Sequence, residues 1–460
     1  MNSQKITNLR NKYPVFEYKS SSWEKRENIL SISWTMVAGD LSFHPTLTLN
    51  LAPNLSSLDN KLIDELVFQL GLAEIPSYWK ATCSPTILIS AGHLSTPQIT
   101  WWHDLYLKGM GEYFYQNQID FTEPNFLTIQ AKQPEKDITP VSGNSNSQKP
   151  LILVSDGKDT ATTLALLSQA HVTFDTLSIK RNSSLSPLLS QFQIQHNSQG
   201  NRIIDPTLLQ LNKDEYLNGH VPLSAYLAFT GVLTAYLQGN NHVIVSNEAS
   251  SNEGNVVWND ISINHQYSKS FEFEEKLAIY LHDYLNLGIT YFSFLRPLYE
   301  LQIAGLLTRF SSLLPIFSSC NATQAKGETG WCGSCPKCLS TYLMLMPFLG
   351  QTQTSAIFGK DALADASLLE TYRSLLGKTN HKPFECVSTF EEIILASYLS
   401  LSKYSSTSLP TLLKYFQTSV LPEQKDLSGR TSALLSHFGN NLLKAPYLSI
   451  LQQTLPIEVK

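Results

Sequence analysis

From Leu151 onward the chain alternates short apolar runs with longer segments of helical period, and no other feature limits its possible folds so tightly. A short apolar run bounded by polar turns fits a strand buried on both faces, and a helix between two such runs returns the chain parallel. Leu151 to Val154, Val172 to Ile179, Val243 to Ser246 and Ile289 to Phe294 read as strands. Helices are expected from about Thr160 to Gln169, Pro222 to Gln238 and Phe271 to Leu285. The pattern predicts βαβ units, hence an α/β fold with a doubly wound parallel sheet covered by helices on both faces.

Around this region the organisation is less regular. Residues 1–131 read as an α+β domain, with an alternating stretch from Ile29 to Met36, a helix around Leu62 to Leu70 and an aromatic-rich segment from Trp101 to Tyr115. Residues 132–149 (KQPEKDITPVSGNSNSQK) have no apolar period and read as a linker. The α/β domain then spans 150–346, and 347–460 reads as helices joined by Ser-rich connections. No repeat of 20 to 50 residues is visible.

Composition sharpens the class. Lys plus Arg number 33 and Asp plus Glu 38 in 460 residues, a net charge of −5. That balance argues against a protein held to nucleic acid by a basic surface. Apolar residues make up 42% and charged residues 15%, enough for a large core and too apolar for general disorder. The first 16 residues lack the apolar segment of a secretory signal, and no 18-residue apolar run suggests a membrane span, so a cytoplasmic location is expected. Four of the six cysteines crowd into one stretch, which favours a metal or redox site over a disulfide framework.

The first predicted strand runs into Ser155-Asp156-Gly157-Lys158-Asp159-Thr160, and a helix follows. Such a turn offers free backbone N–H groups at the positive end of a helix, a natural phosphate site. Ser155 and Thr160 add hydroxyls, Lys158 adds positive charge, and Asp159 can orient the loop or hold Mg²⁺. The bland alternative is a polar turn with a helix cap. The spacing is not that of a Walker A loop. The hexapeptide resembles the SGGKDS signature of the PP-loop ATP pyrophosphatases, whose adenine nucleotide alpha hydrolase-like fold and cleavage of ATP to AMP and pyrophosphate are thereby implied. Asp156 replaces the usual second Gly and Thr160 the Ser. Asp156 is expected to turn its charge away from the phosphates.

Cys320, Cys332, Cys335 and Cys338 follow a C-x11-C-x2-C-x2-C spacing. Four thiols so placed can close a structural zinc site; an iron–sulfur cluster and ligand-free buried thiols are the alternatives. The cluster is similar to the zinc site of 7-cyano-7-deazaguanine synthase, another PP-loop enzyme.

Longer stretches narrow the resemblance: Leu70 to Lys80 (LGLAEIPSYWK), Leu217 to Ser224 (LNGHVPLS), Val245 to Asn255 (VSNEASSNEGN), Asn264 to Glu274 (NHQYSKSFEFE) and Trp331 to Cys338 (WCGSCPKC). Together they resemble the UDP-N-acetyl-α-D-muramoyl-L-alanyl-L-glutamate epimerase family over roughly residues 68–349. The resemblance implies a peptidoglycan-precursor enzyme in which ATP and Mg²⁺ activate the terminal L-Glu of UDP-MurNAc-L-Ala-L-Glu. Its Cα is inverted, and AMP and diphosphate leave. Activation has a physical reason: removing an α-proton beside an ionised carboxylate would build a second negative charge on the same few atoms. An acyl-adenylate neutralises that carboxylate and makes its carbonyl an electron sink, each pKa unit gained being worth about 1.4 kcal/mol.

On this reading Ser155, Gly157, Lys158, Asp159 and Thr160 hold the ATP phosphates, and Lys158, His265 and Lys269 are the candidate catalytic groups. Asn218, Gly219, His220, Asn247, Glu248, Asn264 and Tyr267 are candidate substrate contacts, with a helix cap as the bland reading of 218–220. Glu248, Glu253 or Asp159 can hold Mg²⁺. Tyr78, Trp79, Trp101, Trp102, Tyr113, Phe114 and Tyr115 either stack on the substrate's rings or pack in a core. A small-molecule substrate is expected, with neither nucleic acid nor membrane as partner, and the oligomeric state is left open. Two other readings remain at this level: a PP-loop enzyme of nucleobase or tRNA modification, and a zinc-stabilised interaction module.

Overall fold

The computed structural model describes residues 2–51, 59–132, 149–179, 187–326, 330–405 and 408–459; all but the ends of the expected linker lies outside them. The N-terminal part supplies β1 (Val15–Arg26), β2 (Ile29–Ala38), β3 (Leu41–Phe43), β4 (Thr46–Asn50), β5 (Thr86–Ile89) and β6 (Thr128–Ala131). Along β2 every second residue is buried (Leu30, Ile32, Trp34, Met36), the period-2 signature of a strand with one face in a core. Strands β1, β2 and β4 are antiparallel neighbours, whereas β5 and β6 run parallel to β1. The connection into β5 is the helix Asn60–Trp79, capped by the Asp59 carboxylate accepting from Lys61 N and buried along most of its length.

The second part adds β7 (Pro150–Leu153), β8 (Asp175–Ile179), β9 (Asn197–Ile203), β10 (His242–Val245), a hairpin of β11 (Val256–Trp258) with β12 (Ile261–Ile263), and β13 (Thr290–Ser293). Five of these lie in the order β13-β10-β7-β8-β9, all parallel. Counted along the chain, that is the 5-4-1-2-3 order of a doubly wound sheet, and it reverses direction between β7 and β10. The helices Lys158–Gln169, Leu223–Gln238 and Phe271–Tyr280 stand near the expected places.

Strand β9 joins the two parts. It pairs parallel with β8 on one side and antiparallel with β4 on the other, so the strands form one mixed, mostly parallel sheet. Its sequence, NSQGNRI, has no apolar run. Gly200 is needed for close approach, because a Cβ there would stand 2.2 Å from Ile179 Cδ1 and 3.0 Å from Leu49 Cδ2. Arg202 adds an ion pair to the buried Glu74 at 2.8 Å.

Two apolar clusters result. One gathers Trp34, Trp79, Trp102 and Phe229 with the N-terminal helices; the other gathers Leu164, Leu301, Leu343 and Phe358 with the C-terminal helices. Tyr78, Trp79, Trp102, Tyr113 and Phe114 are fully buried, and Trp101 and Tyr115 pack against the same core. The aromatic stretch is therefore core. Beyond Pro347 the described residues form helices and no strand. Among the described residues no helix is long and apolar enough to cross a membrane.

Candidate active site

The carboxyl ends of β7 and β10 open where the strand order reverses, the place where open α/β sheets bind ligands. A cavity of about 280 Å³ lies there, lined by Ser155, Asp159, Thr160, Asn247, Glu248 and Lys269 among others. A larger, open groove of about 500 Å³ lies between the β11–β12 hairpin and Leu376 to His381, with His381 its single titratable group. The chemistry therefore concentrates in the smaller cavity.

Within the loop, Thr160 Oγ1 accepts from Ser155 N at 3.2 Å and Ser155 Oγ accepts from Gly157 N at 3.3 Å. Gly157 has φ −80°, open to any residue. Lys158 points inward, paired with Asp159, and Gly157 and Lys158 do not line the cavity. Burial pulls the Lys158 ammonium down, but Asp159 and Glu300 outweigh it and hold it above its ordinary value. Asp156 also stays out of the cavity lining, and its carbonyl accepts from Ser318 N at 2.7 Å. That bond ties the loop to the segment carrying Cys320.

A buried charge cluster backs the cavity. Glu300 accepts from Ser388 Oγ at 2.6 Å and faces Lys337 Nζ at 3.4 Å. Burial pushes the Glu300 carboxyl up, yet Lys337 and Lys158 hold it down at about 2. Glu248 moves the other way, raised to about 7 by burial and by the negative charges of Asp159 and Glu300. Arg296 braces this wall. It is 1% exposed, pairs with Glu274 at 2.7 Å, and donates to the carbonyls of both Glu248 and Lys269.

Beside Lys269 lies a residue that sequence reasoning missed. Lys269 Nζ is 3.1 Å from Cys386 Sγ, and His265 stands close enough to the same thiol to perturb it. His265 Nδ1 is bonded in turn to Glu112 Oε2. Burial alone would raise the Cys386 thiol; Lys269, His265 and Lys337 overcome it and bring the thiol down to about 6. His265 answers by rising to about 9, against its own burial, through Cys386 and Glu112. His220 completes the group with its ring centroid 4.2 Å from that of His265. Burial and the charges of His265 and Lys269 push His220 down to about 3, although Glu112 lies 3.6 Å away. Two imidazoles share one carboxylate, and His265, which also has the thiol, holds the proton.

The remaining candidates scatter. Asn264 donates to Ser251 O and accepts from Gln266 N, shaping its own turn. Tyr267 OH bonds to Asp104, and Glu253 is held by Lys382. Asn218 accepts from Gly219 N, and Gly219 O takes a bond from Lys80.

The four clustered cysteines converge, all four sulfurs lying within 4.8 Å of one another. Cys320 and Cys335 sulfurs are 3.9 Å apart, and those of Cys332 and Cys338 3.7 Å apart. Sulfurs around one tetrahedral zinc, at about 2.3 Å each, stand about 3.8 Å apart, so the donor set fits that ion. A disulfide would need about 2.05 Å. Cys335 Sγ also caps the helix Pro336–Phe358, and the Cys335 thiol is drawn down to about 5 by bonding to Cys338 despite its burial.

Fold and site thus define a mixed α/β protein with a polar, charge-backed cavity at a topological switch point. Residues 7–294 match the MurL N-terminal domain and residues 316–428 the MurL C-terminal domain. The chain belongs to the MurL family. It is 31% identical over 450 residues to the UDP-N-acetyl-alpha-D-muramoyl-L-alanyl-L-glutamate epimerase of Salinispora tropica, covering 95% of this chain and 94% of that protein. Identity is 33% over 391 residues to the enzyme of that name from Micromonospora sp., covering 82% and 83%. For the namesake from Xanthomonas oryzae pv. oryzae it is 32% over 320 residues, covering 69% and 70%.

Proposed function

We propose that this protein inverts the terminal glutamate of UDP-MurNAc-L-Ala-L-Glu, a peptidoglycan precursor, through an ATP-derived glutamyl-adenylate. The observation that carries the reading is a single cavity, in a chain of this family, joining the Ser155–Thr160 loop to Glu248 and Lys269. The names of the relatives support the substrate; the loop at a strand end supports activation by ATP.

Ser155 and Thr160 offer hydroxyls to the phosphates, and the buried Lys158 supplies positive potential from behind the loop. Asp159 and Glu248 are the carboxylates able to hold Mg²⁺, which screens phosphate charge when bound. Glutamate carboxylate attacks the α-phosphorus, diphosphate leaves, and the acyl-adenylate accepts the electron pair released at Cα. Inversion follows, and water then cleaves the anhydride to free AMP and the D-epimer. Cys320, Cys332, Cys335 and Cys338 would hold a structural zinc ion, which would help fix the start of the helix carrying Lys337, two residues beyond Cys335 and facing Glu300 behind the cavity.

The test is incubation with ATP, Mg²⁺ and UDP-MurNAc-L-Ala-L-Glu, following AMP and the configuration of the terminal glutamate, read after acid hydrolysis of the product. AMP and D-Glu are expected together, each dependent on the other substrate. Folded protein that yields D-Glu without ATP, or no AMP at all, ends the reading.

A further inference from the structure

We propose that the Cys386 thiolate is a proton-transfer group acting at the glutamate Cα, held in place by Lys269 and by the His265–Glu112 pair. The role rests on the activation reading above and deepens it.

Three separate stretches of the chain meet around this sulfur, Glu112 reaching it only through His265. Glu112 comes from the short helix Gly111–Asn117, His265 from the turn after β12, Lys269 from the single turn Tyr267–Lys269, and Cys386 from a segment more than 110 residues further on. Lys269 has a double allegiance: its side chain lines the switch-point cavity while its ammonium touches Sγ. Cys386 is not itself part of the cavity lining; it lies directly behind Lys269, half-buried and one side chain from the cavity. Cys83 shows what a structural thiol looks like in the same chain: it is fully buried, and burial raises it even with Arg10 alongside. Cys386 is driven the opposite way, although it too is desolvated.

A thiolate is suited to carbon acids because it is weakly hydrated and needs little desolvation to reach a C–H bond. With the carboxylate masked as an adenylate, Cα–H breaks, S–H forms, and the electron pair passes into the activated carbonyl. A second, water-equilibrated donor then protonates the opposite face of Cα. The Cys386 thiol then gives its proton to solvent, its thiolate restored beside Lys269 and the already protonated His265, so no net proton is gained. The groups facing the sulfur are Lys269, His265 with Glu112 behind it, Lys337 and Glu385. Three of these are cationic, and they keep the thiolate available near neutral pH.

The test uses full-length protein with ATP, Mg²⁺ and substrate in D₂O. In Cys386→Ser, deuterium entry at Cα and D-Glu formation should fall by roughly 10²- to 10⁴-fold while AMP release continues. Exchange within about threefold of the unaltered protein overturns the proposal. No AMP from the unaltered protein overturns the activation reading instead, so the two failures are distinguishable. Iodoacetamide labelling of Cys386, followed by peptide mass spectrometry against pH, needs no variant. A midpoint near 6 and loss of Cα exchange on labelling are expected, and a midpoint at the ordinary thiol value of about 8.5 overturns it.

Discussion

Lys269 and His220 carry the electrostatics of the site in opposite senses. Lys269 is raised by the negative charge on Cys386, so each group holds the other ionised. Removing that charge with Lys269→Met leaves the thiol with His265 as its direct partner. The acid limb of Cα exchange should then move up by about one to two pH units, since one close opposite charge is worth about that much. An unmoved limb would show that the thiolate does not depend on Lys269. His220 is held neutral, with its pKa near 3 against about 6.5 in the unfolded chain. Below pH 6.5 the unfolded state therefore binds a proton that the folded state refuses, and stability is lost as pH falls from 6.5 toward 3. His220→Asn should flatten the stability slope in that window, measured by urea unfolding at several pH values. Neither partnership was legible in the sequence. Glu112, His220, His265 and Cys386 come from segments with no shared spacing, and a cysteine outside the cluster gives no local sign of its neighbours.

At the scale of elements, what could be read was what repeats locally. The strand, turn and helix from Pro150 to Gln169 stand within two residues of expectation at each boundary, because an apolar run and a helical period announce them. Strand β9 was not expected, because Asn, Ser, Gln and Arg fill it and its support comes from neighbours on both sides. Gly200→Val should drive two methyls into Ile179 and Leu49, costing about 1 to 3 kcal/mol in thermal or denaturant unfolding. A neutral result would mean that β9 shifts freely, contrary to its two-sided pairing. The segment Ser293–Leu298 offers a second test. Arg296→Met strands the buried Glu274 and frees the Glu248 and Lys269 carbonyls together, at about 3 to 5 kcal/mol and with loss of AMP release. Wild-type stability in that variant would remove Arg296 as the brace of the cavity wall.

Across the molecule, the four-cysteine knot sits between the Ser155–Thr160 loop and the C-terminal helices. Cys320 follows the segment bonded to Asp156, and Cys335 caps the long helix. One zinc per chain is expected by elemental analysis, with no visible chromophore. Chelation should lower the melting temperature and weaken ATP binding together, because the same clasp holds Lys337 and the loop. A brown protein containing iron would replace zinc with a cluster. The α/β character was evident from the alternation after Leu151, and the motifs pointed to the cavity. That one sheet runs through both parts was not evident, since it depends on a pairing between residues 46–50 and 197–203.

That pairing sets a condition on synthesis. When β4 leaves the ribosome, its outer N–H and C=O groups have no partner until β9 appears about 147 residues later, roughly 7 to 30 s at ordinary elongation rates. For that interval the nascent N-terminal sheet presents a bare edge of the kind that other chains can extend. Slowed translation between Asn50 and Asn197 lengthens the exposure, whereas a chaperone that shields strand edges bridges it.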